Sequence, residues 1–294
     1  AEREAAKAAA VPPDDAPGFD LNAEVWAHMG RRAGSKDPRR APGYHPSQME
    51  RFCPRADVLG RVYPKPDYDP ITPELQTIFD WGTAWHWVAQ NRHFGPMGIL
   101  WGTWRCNGCA REVEGFMPAP CAECYPGLED SDLTGLGGWW EYQEPALTND
   151  EFGVVGQSDG ILIPSGKAGG RRVLLEIKTI NEDGFKRLRG PAPYHVFQVS
   201  IYLWLSGLDR AWVCYYSKGK RQERPKCFRM SIDEMVIEDV KRRITMHRRA
   251  LKTGQLCGGV CRTNRDSMAL KCSWRTECFD AGVEMAVEQA DWRA

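Results

Sequence analysis

The sequence predicts an α/β fold in which a mixed central sheet is flanked by helices. Two strand-like runs, residues 154–163 and 172–179, are joined by a turn rich in Gly, Lys and Arg. A long helix is predicted over residues 72–94, before these strands, and an apolar helix over residues 194–208, after them. The chain has 294 residues, which is enough to bury one substantial core with small modules attached.

The two ends of the chain differ from this core in composition. Residues 1–46 are rich in Ala, Pro, Gly and charged residues and have no sustained apolar period, which is typical of a mobile arm or a segment along the surface. Residues 281–294 form a tail, so we expect the folded domain to span residues 47–280. Four arginines of the arm either contact phosphates or are solvated: Arg31, Arg32, Arg39 and Arg40.

Composition bounds the class of protein. Apolar residues make up 42% of the chain, no apolar run approaches the length of a membrane span, and the N-terminus has no signal-peptide pattern. We therefore expect a cytoplasmic protein without a membrane partner. The formal net charge is zero, so the charge of the whole chain gives no argument for nucleic acid, and local basic patches matter more.

The helix over residues 72–94 carries a histidine on a mainly apolar segment. Trp85 and Val88 contribute to its apolar face, and His86 lies four residues after Gly82 and therefore on the same side. A single histidine on a helix is more often a packed or surface residue than a metal ligand. From these residues alone, both interpretations of His86 stay open.

Cysteine spacing predicts a metal site between residues 104 and 127. The chain has eleven cysteines and no secretion signal, which favours metal ligation over a disulfide framework. The segment reads C-x2-C-x11-C-x2-C, and paired Cys-x-x-Cys turns are typical of a zinc ribbon. Four thiolates close the coordination sphere, so we expect structural zinc without catalysis, bound by Cys106, Cys109, Cys121 and Cys124.

The second strand-like run ends in Glu176, Ile177 and Lys178. Successive residues of a strand point to opposite faces, so Glu176 and Lys178 share one face. A hairpin would bring Asp159 of the first run beside Glu176. Two carboxylates and a lysine then form a site for a divalent cation that prefers oxygen ligands. The alternative is an edge hairpin whose charges are solvated.

Further polar residues lie on the predicted elements around this hairpin. Glu144 falls on a strand predicted over residues 137–147, where a cross-strand ion pair would account for it. Gln198 and Tyr202 are four residues apart and share one face of the helix over residues 194–208, where they could satisfy each other.

Basic residues follow in the last third of the chain. Strands are predicted over residues 211–216 and 226–230, with a basic turn between them and a helix over residues 231–253 after them. The turn and the basic residues of the helix either follow a DNA backbone or are solvated. These helix residues are Lys241, Arg242, Arg243, Arg248, Arg249 and Lys252.

A second group of cysteines lies over residues 257–278, spaced C-x3-C-x10-C-x5-C. Another cysteine, Cys53, is far upstream, in a predicted helix that begins near residue 46. Zinc would accept these thiolates, but the spacing differs from that of paired knuckles. The members of the group are Cys257, Cys261, Cys272 and Cys278.

Four short motifs occur in order along the chain: GTAWH at residues 82–86, GQSD at 156–159, EIK at 176–178 and QVSIY at 198–202. Together they resemble the motifs of the PD-(D/E)xK nuclease superfamily, in particular its RecB-like branch, which includes phage exonucleases and the CRISPR-adaptation nucleases. The resemblance covers roughly residues 45 to 280. It implies a restriction-endonuclease-like core that carries the zinc ribbon as an insertion.

The resemblance also implies the roles of the site residues. Mg²⁺ or Mn²⁺ would be held by His86, Asp159, Glu176 and the Ile177 carbonyl. Lys178 would orient the attacking water or stabilise charge on the phosphate. In the family the Gln-x-x-x-Tyr helix reaches DNA or orders the lysine, which would be the part of Gln198 and Tyr202. Glu144 resembles an acidic residue that some members carry, and it is a secondary candidate.

Iron–sulfur members of the family have a Cys-Pro-Arg stretch before the nuclease core, and Cys53-Pro54-Arg55 resembles it. The resemblance implies a [4Fe–4S] cluster that fastens the two ends of the domain together. Its ligands would be Cys53, Cys261, Cys272 and Cys278, with Cys257 as the substitute for Cys261. The family often has C-x2-C-x5-C at this end, whereas Ala269 stands where the first of those cysteines would be.

The function implied by the resemblance is that of a metal-dependent deoxyribonuclease, an exonuclease acting at DNA ends in recombination, repair or phage replication. Its partners would be DNA and a recombination or replication protein, and a phage-encoded enzyme would act in the host cytoplasm. Two alternatives stay open: a CRISPR-adaptation-type nuclease that works with a partner, and a DNA-binding module without catalysis. Binding alone does not need a lysine beside two carboxylates, which favours catalysis.

Overall fold

The computed structural model describes residues 27–28, 42–63, 71–124, 126, 140–219 and 224–280. The four arginines of the predicted arm and the predicted tail lie outside the described residues. By their contacts, the described residues form two compact units, one containing residues 27–28 and 71–81 and the other containing the rest. In the first unit, the Thr72 hydroxyl accepts a hydrogen bond from the Leu75 N–H (3.3 Å) at the start of a helix.

The described helices and strands follow one another in the order of the chain. The helices are α1 (Pro46–Met49), α2 (Pro54–Val62), α3 (Pro73–Val88), α4 (Glu182–Arg187), α5 (Pro193–Ser206), α6 (Glu234–Thr253) and α7 (Arg275–Cys278). A π-helical turn, Ala89–Phe94, continues α3, and a 3₁₀ turn spans Ala269–Lys271. The strands are β1 (Leu100–Cys106), β2 (Glu112–Gly115), β3 (Trp140–Gln143), β4 (Ala146–Asn149), β5 (Val154–Gln157), β6 (Gly160–Leu162), β7 (Val173–Ile180), β8 (Arg210–Ser217) and β9 (Lys226–Ser231).

Seven strands form the central sheet in the order β2-β1-β6-β7-β8-β9, and β3 also pairs with β1. Strands β7 and β8 are parallel, and the other neighbours in this sheet are antiparallel. The chain passes between the parallel pair through α4 and α5, because parallel strands need a crossover connection. Strands β4 and β5 form a separate two-stranded sheet.

Helical segments cover both faces of the central sheet in the second unit. On one face, Phe185 of α4 and Val199 of α5 pack in one cluster with Leu174 of β7. On the other face, Phe94 of the π-helical turn packs in one cluster with Ile177 of β7. Strand β7 is an apolar run because it is buried on both sides. The predicted fold class, a mixed sheet flanked by helices, is confirmed.

The prediction of one continuous strand over residues 154–163 is wrong, because this stretch forms two strands that belong to two different sheets. β5 pairs with β4, whereas β6 pairs with β7 in the central sheet. The break falls at Ser158 and Asp159, and Gly160 follows it. A Cβ at Gly160 would lie 2.7 Å from the Leu100 side chain, so glycine permits the close approach of β6 to β1.

The strand predicted over residues 137–147 is also divided. Its described part consists of β3 and β4, separated by Glu144 and Pro145. Proline has no N–H to donate to a ladder, which explains why pairing stops there. Glu144 therefore lies outside both strands, at the junction between β3 and β4.

Cys53 does not lie inside a helix, contrary to the prediction. It is the N-cap of α2, with φ −116° and ψ 114°, and Pro54 is the first residue of that helix. The ring of a proline keeps the preceding residue extended and suits the first helical position.

Two cysteines outside the predicted metal sites form a cross-strand disulfide between β8 and β9. Cys214 and Cys227 are partners in the antiparallel register, with Cα atoms 4.1 Å apart. Among the described residues, the helices are all too short or too polar to cross a bilayer.

Candidate active site

The centre of the candidate site is a group of three side chains from three parts of the second unit: His86, Glu144 and Asp159. Each offers a ligand atom, and these atoms all lie within 4.8 Å of one another. We call this group the carboxylate–histidine cluster. His86 comes from the end of α3, Glu144 from the β3–β4 junction and Asp159 from the β5–β6 junction.

Asp159 joins this cluster to strand β7. One of its carboxylate oxygens, Oδ1, lies 3.1 Å from His86 Nδ1. The other, Oδ2, accepts a hydrogen bond from the Ile177 backbone N–H at 2.5 Å. The β6–β7 register pairs Gly160 with Leu175, so Asp159 stands beside Glu176. The strand register thus places the two residues side by side, whereas the group of ligand atoms within 4.8 Å contains Asp159 and not Glu176.

Glu176 and Lys178 form a buried ion pair on β7. Lys178 Nζ lies 2.6 Å from Glu176 Oε1, and Glu176 is 2% exposed. Among the described residues, Glu176 Oε2 has no hydrogen-bond partner although it is buried. A buried carboxylate oxygen without a partner is costly in free energy, and a cation beside it would offset that cost.

Lys178 is fixed from the other side by helix α5. Gln198 Oε1 accepts a hydrogen bond from Lys178 Nζ (3.0 Å), and Gln198 Nε2 donates to the Tyr202 hydroxyl (3.1 Å). The two helix residues therefore satisfy each other, as their spacing suggested, and at the same time hold the lysine. His195, one turn before Gln198, is buried and its Nδ1 lies 2.7 Å from the Tyr215 hydroxyl.

The charges of the cluster shift the protonation of its members. Burial raises the pKa of Glu176, Asp159 raises it further, and Lys178 opposes both, with a result of about 7. Burial lowers the pKa of Lys178, but Glu176 and Asp159 outweigh this and raise it, so the lysine is a cation at neutral pH. Burial and Asp159 also raise the pKa of Glu144.

His86 responds to the same charges. Burial lowers its pKa, and the carboxylates of Asp159, Glu176 and Glu144 outweigh burial and raise it. The site is thus an accumulation of negative charge with one histidine and one lysine at its edge. Such an arrangement attracts a small, hard cation.

The cluster fits Mg²⁺ or Mn²⁺ in ligand type and in spacing. Oxygen and imidazole ligands suit these ions. Adjacent ligands of an octahedral ion at about 2.1 Å stand roughly 3.0 Å apart. The separation of 3.1 Å between His86 Nδ1 and Asp159 Oδ1 is that of a direct hydrogen bond, and it is also close to this ligand spacing.

Two residues that the sequence analysis missed support the cluster from the π-helical turn. Gln90 and Asn91 are buried polar residues, 4% and 0% exposed. Gln90 contacts Glu144 and Asp159, and Asn91 contacts the backbone of β3. A π-helical turn has no sequence period of its own, although such turns are frequent at functional sites. The one sequence feature that could have indicated these two residues is that they are consecutive polar residues after an apolar helix.

The second metal-ligating group is the cysteine cluster: Cys106, Cys109, Cys121 and Cys124. Their sulfur atoms all lie within 4.8 Å of one another, and the Cys106–Cys124 and Cys109–Cys121 pairs are each 3.8 Å apart. Four ligands at about 2.3 Å from a tetrahedral zinc ion stand roughly 3.8 Å apart, so the geometry fits zinc.

The knuckle of the first cysteine pair is also formed in the backbone. The Gly108 N–H lies 3.4 Å from Cys106 Sγ, and Ala110 has a positive φ of 60° at the end of the turn. Against the effect of burial, hydrogen bonds within the cluster lower the pKa of Cys106 to about 7. A lowered pKa favours the thiolate that a metal binds.

The C-terminal cysteines approach Cys53 but do not form a group as tight as the cysteine cluster. Among the described residues, only the carboxylate–histidine cluster and the cysteine cluster have all ligand atoms within 4.8 Å. Burial raises the pKa of Cys261, and the charges that raise it further are those of Cys53, Asp266, Cys278 and Cys272.

Arg55 connects the two ends of this region. It donates hydrogen bonds to the Cys278 carbonyl at 3.2 and 3.0 Å and to the Cys257 carbonyl at 3.2 Å. Burial raises the pKa of Cys257 to about 11, and the charge of Cys53 also raises it.

The basic residues of α6 are largely occupied by contacts within the chain. Arg243 is ion-paired with Asp239 and donates hydrogen bonds to the backbone carbonyls of Met49, Glu50 and Phe52. Arg242 pairs with Asp239 and Lys241 with Glu238. The contacts of Arg243 hold α6 against α1 and the residues that follow it, whereas the other two pairs lie within α6.

Comparison with known proteins gives similarities of fold at low identity. No model of a known protein family matches the chain, and no curated protein matches it. Among solved structures, the chain is similar to SSO0001, with a TM-score of 0.39, 14% identity, and coverage of 77% of this chain and 85% of that chain.

Two other similar structures are exonucleases by name. The alkaline exonuclease LHK-Exo from Laribacter hongkongensis gives a TM-score of 0.39 and 13% identity over 78% of this chain and 92% of that chain. A phage related exonuclease from Haemophilus somnus 129PT gives a TM-score of 0.27 and 10% identity over 70% and 92%. At TM-scores this low, the similarities assign neither a family nor an activity to the chain.

Proposed function

We propose that this chain is a metal-dependent deoxyribonuclease that hydrolyses phosphodiester bonds, and that it acts as an exonuclease at DNA ends. The observation that carries the proposal is the carboxylate–histidine cluster with a buried Glu176–Lys178 pair beside it. The distance between His86 Nδ1 and Asp159 Oδ1 suits adjacent ligands of one small cation. The order of the four sequence motifs along the chain also supports a metal-dependent nuclease.

The ligands of Mg²⁺ or Mn²⁺ would be His86, Glu144 and Asp159, with Glu176 and the Ile177 carbonyl completing the set. When bound, the ion supplies Lewis-acid polarisation of the scissile phosphate and lowers the pKa of a water molecule. Asp159 would be held for this task by the Ile177 N–H, which keeps one of its oxygens directed to His86.

Lys178 would act on the reacting phosphate. Its ammonium is fixed between Glu176 Oε1 and Gln198 Oε1, so it cannot turn away from the site without losing both contacts. A positioned cation stabilises the negative charge that develops on the phosphate as water attacks and the bond to the leaving oxygen breaks. The reaction needs no covalent intermediate with the protein.

The cysteine cluster would hold a structural zinc ion. Four thiolates leave no open coordination position, and the paired sulfur distances of 3.8 Å suit a tetrahedral ion. Because β1 ends at Cys106 and also pairs with β6 of the central sheet, the zinc lobe is continuous with the strands that carry the candidate site.

The C-terminal region would hold a [4Fe–4S] cluster through Cys53, Cys261, Cys272 and Cys278. Thiolate ligation suits such a cluster, and the charges acting on Cys261 include those of the other three members, together with that of Asp266. Iron and sulfide analysis of protein purified without oxygen tests this set. Cys261→Ser should lose the iron, whereas Cys257→Ser should retain it, and the reverse result would make Cys257 the ligand.

DNA digestion tests the main proposal. End-labelled linear duplex and a covalently closed circle are incubated with the full chain, purified without oxygen, in Mn²⁺ or Mg²⁺. Loss of the linear form alone is expected of an end-dependent exonuclease. Cutting of both would replace it with an endonuclease. Binding of DNA without any cutting would contradict the nuclease proposal and favour a DNA-binding module or a nuclease that needs a partner.

A further inference from the structure

The π-helical turn after α3 brings two consecutive polar residues into the interior. Helix α3 ends at Val88, and Ala89–Phe94 continues it with the wider winding. Single π turns are rare in proteins as a whole, and those that occur are often found at functional sites. Gln90 and Asn91 are 4% and 0% exposed, and a buried amide is retained only where its hydrogen bonds are made.

Gln90 uses its amide nitrogen for two hydrogen bonds. Nε2 lies 2.9 Å from Glu144 Oε1 and 2.8 Å from the Asp159 backbone carbonyl oxygen. Both partners are acceptors when Glu144 is ionised, and an amide NH₂ has two protons to donate. This fixes the orientation of the amide, because the opposite orientation would set the amide oxygen against two other oxygens.

Asn91 secures the strand that leads to Glu144. Its Oδ1 accepts a hydrogen bond from the Tyr142 N–H (2.9 Å), and its Nδ2 donates to the Trp87 carbonyl (2.9 Å). Glu144 follows Tyr142 by two residues, at the junction where β3 has ended. Its side chain is therefore held by Gln90 rather than by strand pairing.

Glu144 needs such support because it stands among negative charges. Its ligand oxygen lies within 4.8 Å of those of Asp159 and His86, and it is only partly exposed to water. Two carboxylates at such a distance repel each other in a site of low dielectric constant. A neutral donor that binds both the side chain of Glu144 and the backbone of Asp159 holds the two acidic residues together without adding charge.

We infer that Gln90 is a positioning residue that makes Glu144 a ligand of the divalent cation. By binding Glu144 Oε1, it holds this carboxylate beside His86 and Asp159, where the three ligand atoms lie within 4.8 Å of one another. This inference rests on the divalent-ion site of the proposed function. It assigns Gln90 no contact with the ion or with DNA.

Direct measurement of Mn²⁺ binding tests the inference. Free Mn²⁺ is followed by its electron paramagnetic resonance signal during titration of the full chain without DNA. Gln90→Met keeps the approximate volume of the side chain and removes both donors. Residues that hold a metal ligand contribute about 10–100-fold to metal affinity, so Gln90→Met should bind Mn²⁺ at least about 10-fold more weakly than the wild type. Wild-type affinity in Gln90→Met would overturn the inference.

Two further variants separate positioning from a general loss of structure. Glu144→Gln, at a partly exposed position, should weaken Mn²⁺ binding by about as much as Gln90→Met. Adding Gln90→Met to Glu144→Gln should cause little additional loss, because residues that act through one another are not additive. Unchanged Mn²⁺ affinity in Glu144→Gln, or full additivity, would also overturn the inference.

The outcome is distinguishable from failure of the proposed function. Wild-type protein whose Mn²⁺ affinity falls in both Gln90→Met and Glu144→Gln, but which cuts no DNA, would contradict the nuclease and leave the inference standing. Wild-type protein that cuts DNA, with Mn²⁺ affinity unchanged in Gln90→Met, would contradict the inference and leave the nuclease standing.

Discussion

The carboxylate–histidine cluster and the cysteine cluster differ in how the chain assembles them. The cysteine cluster comes from one short stretch that begins at the end of β1, and its four sulfur atoms can close around an ion by themselves. The other cluster takes His86, Glu144 and Asp159 from the ends of three separate elements. A local site needs only the correct spacing, whereas a dispersed site needs the whole fold.

The two clusters also differ in what surrounds them. A lysine, Lys178, and a carboxylate oxygen without a protein partner, Glu176 Oε2, stand beside the carboxylate–histidine cluster. The cysteine cluster uses soft thiolates in a closed tetrahedron. A buried carboxylate oxygen without a partner, beside a lysine and acidic ligands, is a feature of chemically active sites, and a saturated set of ligands is typical of structural ones. We therefore propose that the carboxylate–histidine cluster is reactive and that the cysteine cluster is structural.

Among substitutions that leave the carboxylate–histidine cluster itself intact, the largest expected effect is that of Lys178→Ala. Loss of a positioned charge that stabilises a transition state costs about 10²–10³-fold in kcat. We expect Mn²⁺-dependent cleavage to fall by that factor while DNA affinity changes only a few-fold, since one charge among many phosphate contacts is lost. Single-turnover cleavage and filter binding measure the two quantities.

The matched control for this prediction is Lys167→Ala, which removes an exposed lysine in the turn between β6 and β7. It should cleave at the wild-type rate. Wild-type cleavage by Lys178→Ala would remove the distinction between the two clusters, because nothing else would mark the carboxylate–histidine cluster as reactive.

A smaller effect on cleavage is expected from Cys121→Ser. Cys121 is buried and belongs to the cysteine cluster, so the variant should lose its zinc, and metal binding is coupled to folding of the lobe. A destabilisation of about 1–2 kcal/mol would lower Tm by roughly 2–8 °C in a domain of this size. Cleavage by the folded variant should stay within a few-fold of wild type.

Zinc analysis and a thermal scan test this prediction, with Cys257→Ser as the control that lies outside the cysteine cluster. Complete loss of cleavage at a temperature where Cys121→Ser is still folded would mean that the zinc takes part in the reaction. The separation of a structural and a chemical cluster would then be wrong.

The smallest effect on cleavage is expected at His195, a buried residue whose substitution should change the stability of the protein at acidic pH. Burial and, to a smaller extent, the charge of Lys178 lower the pKa of His195 to about 3. The unfolded chain has a histidine pKa of about 6.5, so between these values the unfolded state binds the additional proton. Stability is therefore fully present above about pH 6.5 and is lost as the pH falls toward 3.

The size of this effect follows from linkage. One pH unit corresponds to about 1.36 kcal/mol, so lowering the pH from 6.5 to 5 should cost the wild type about 2 kcal/mol through this group. His195→Asn keeps an acceptor for the Tyr215 hydroxyl and cannot be protonated in this range. Denaturant unfolding at the two pH values should show a smaller loss for the variant. Equal losses would mean that His195 is not held neutral.

The contrast between local and dispersed sites also explains what could be predicted from the sequence. The four cysteines of the cysteine cluster follow from their spacing alone. The juxtaposition of Asp159 with Glu176 followed from the pattern of two strands and a turn, because the register of a hairpin is set by its side-chain alternation. The mixed sheet followed from the order of apolar runs.

The parts that were missed depend on tertiary context. Gln90 and Asn91 have functions only because the helix changes to a π turn and because β3 passes beside it, and neither fact has a sequence period. Asp159 leaves the strand because β5 and β6 belong to different sheets, which an uninterrupted strand-like run does not reveal. Cys53 is an N-cap because Pro54 is the first residue of the helix, and the sequence prediction did not use this proline as a helix start.

The most direct test of the central claim is Mn²⁺-dependent cleavage of end-labelled linear DNA by the wild type and by Asp159→Ala in parallel. Asp159 contacts both His86 and the backbone of β7, so its loss should dismantle the carboxylate–histidine cluster and leave the cysteine cluster in place. We expect cleavage by the wild type that ends when the metal is chelated, no detectable cleavage by Asp159→Ala, and the same zinc content in both proteins. Equal cleavage by the two proteins would mean that the carboxylate–histidine cluster is not the site of the reaction.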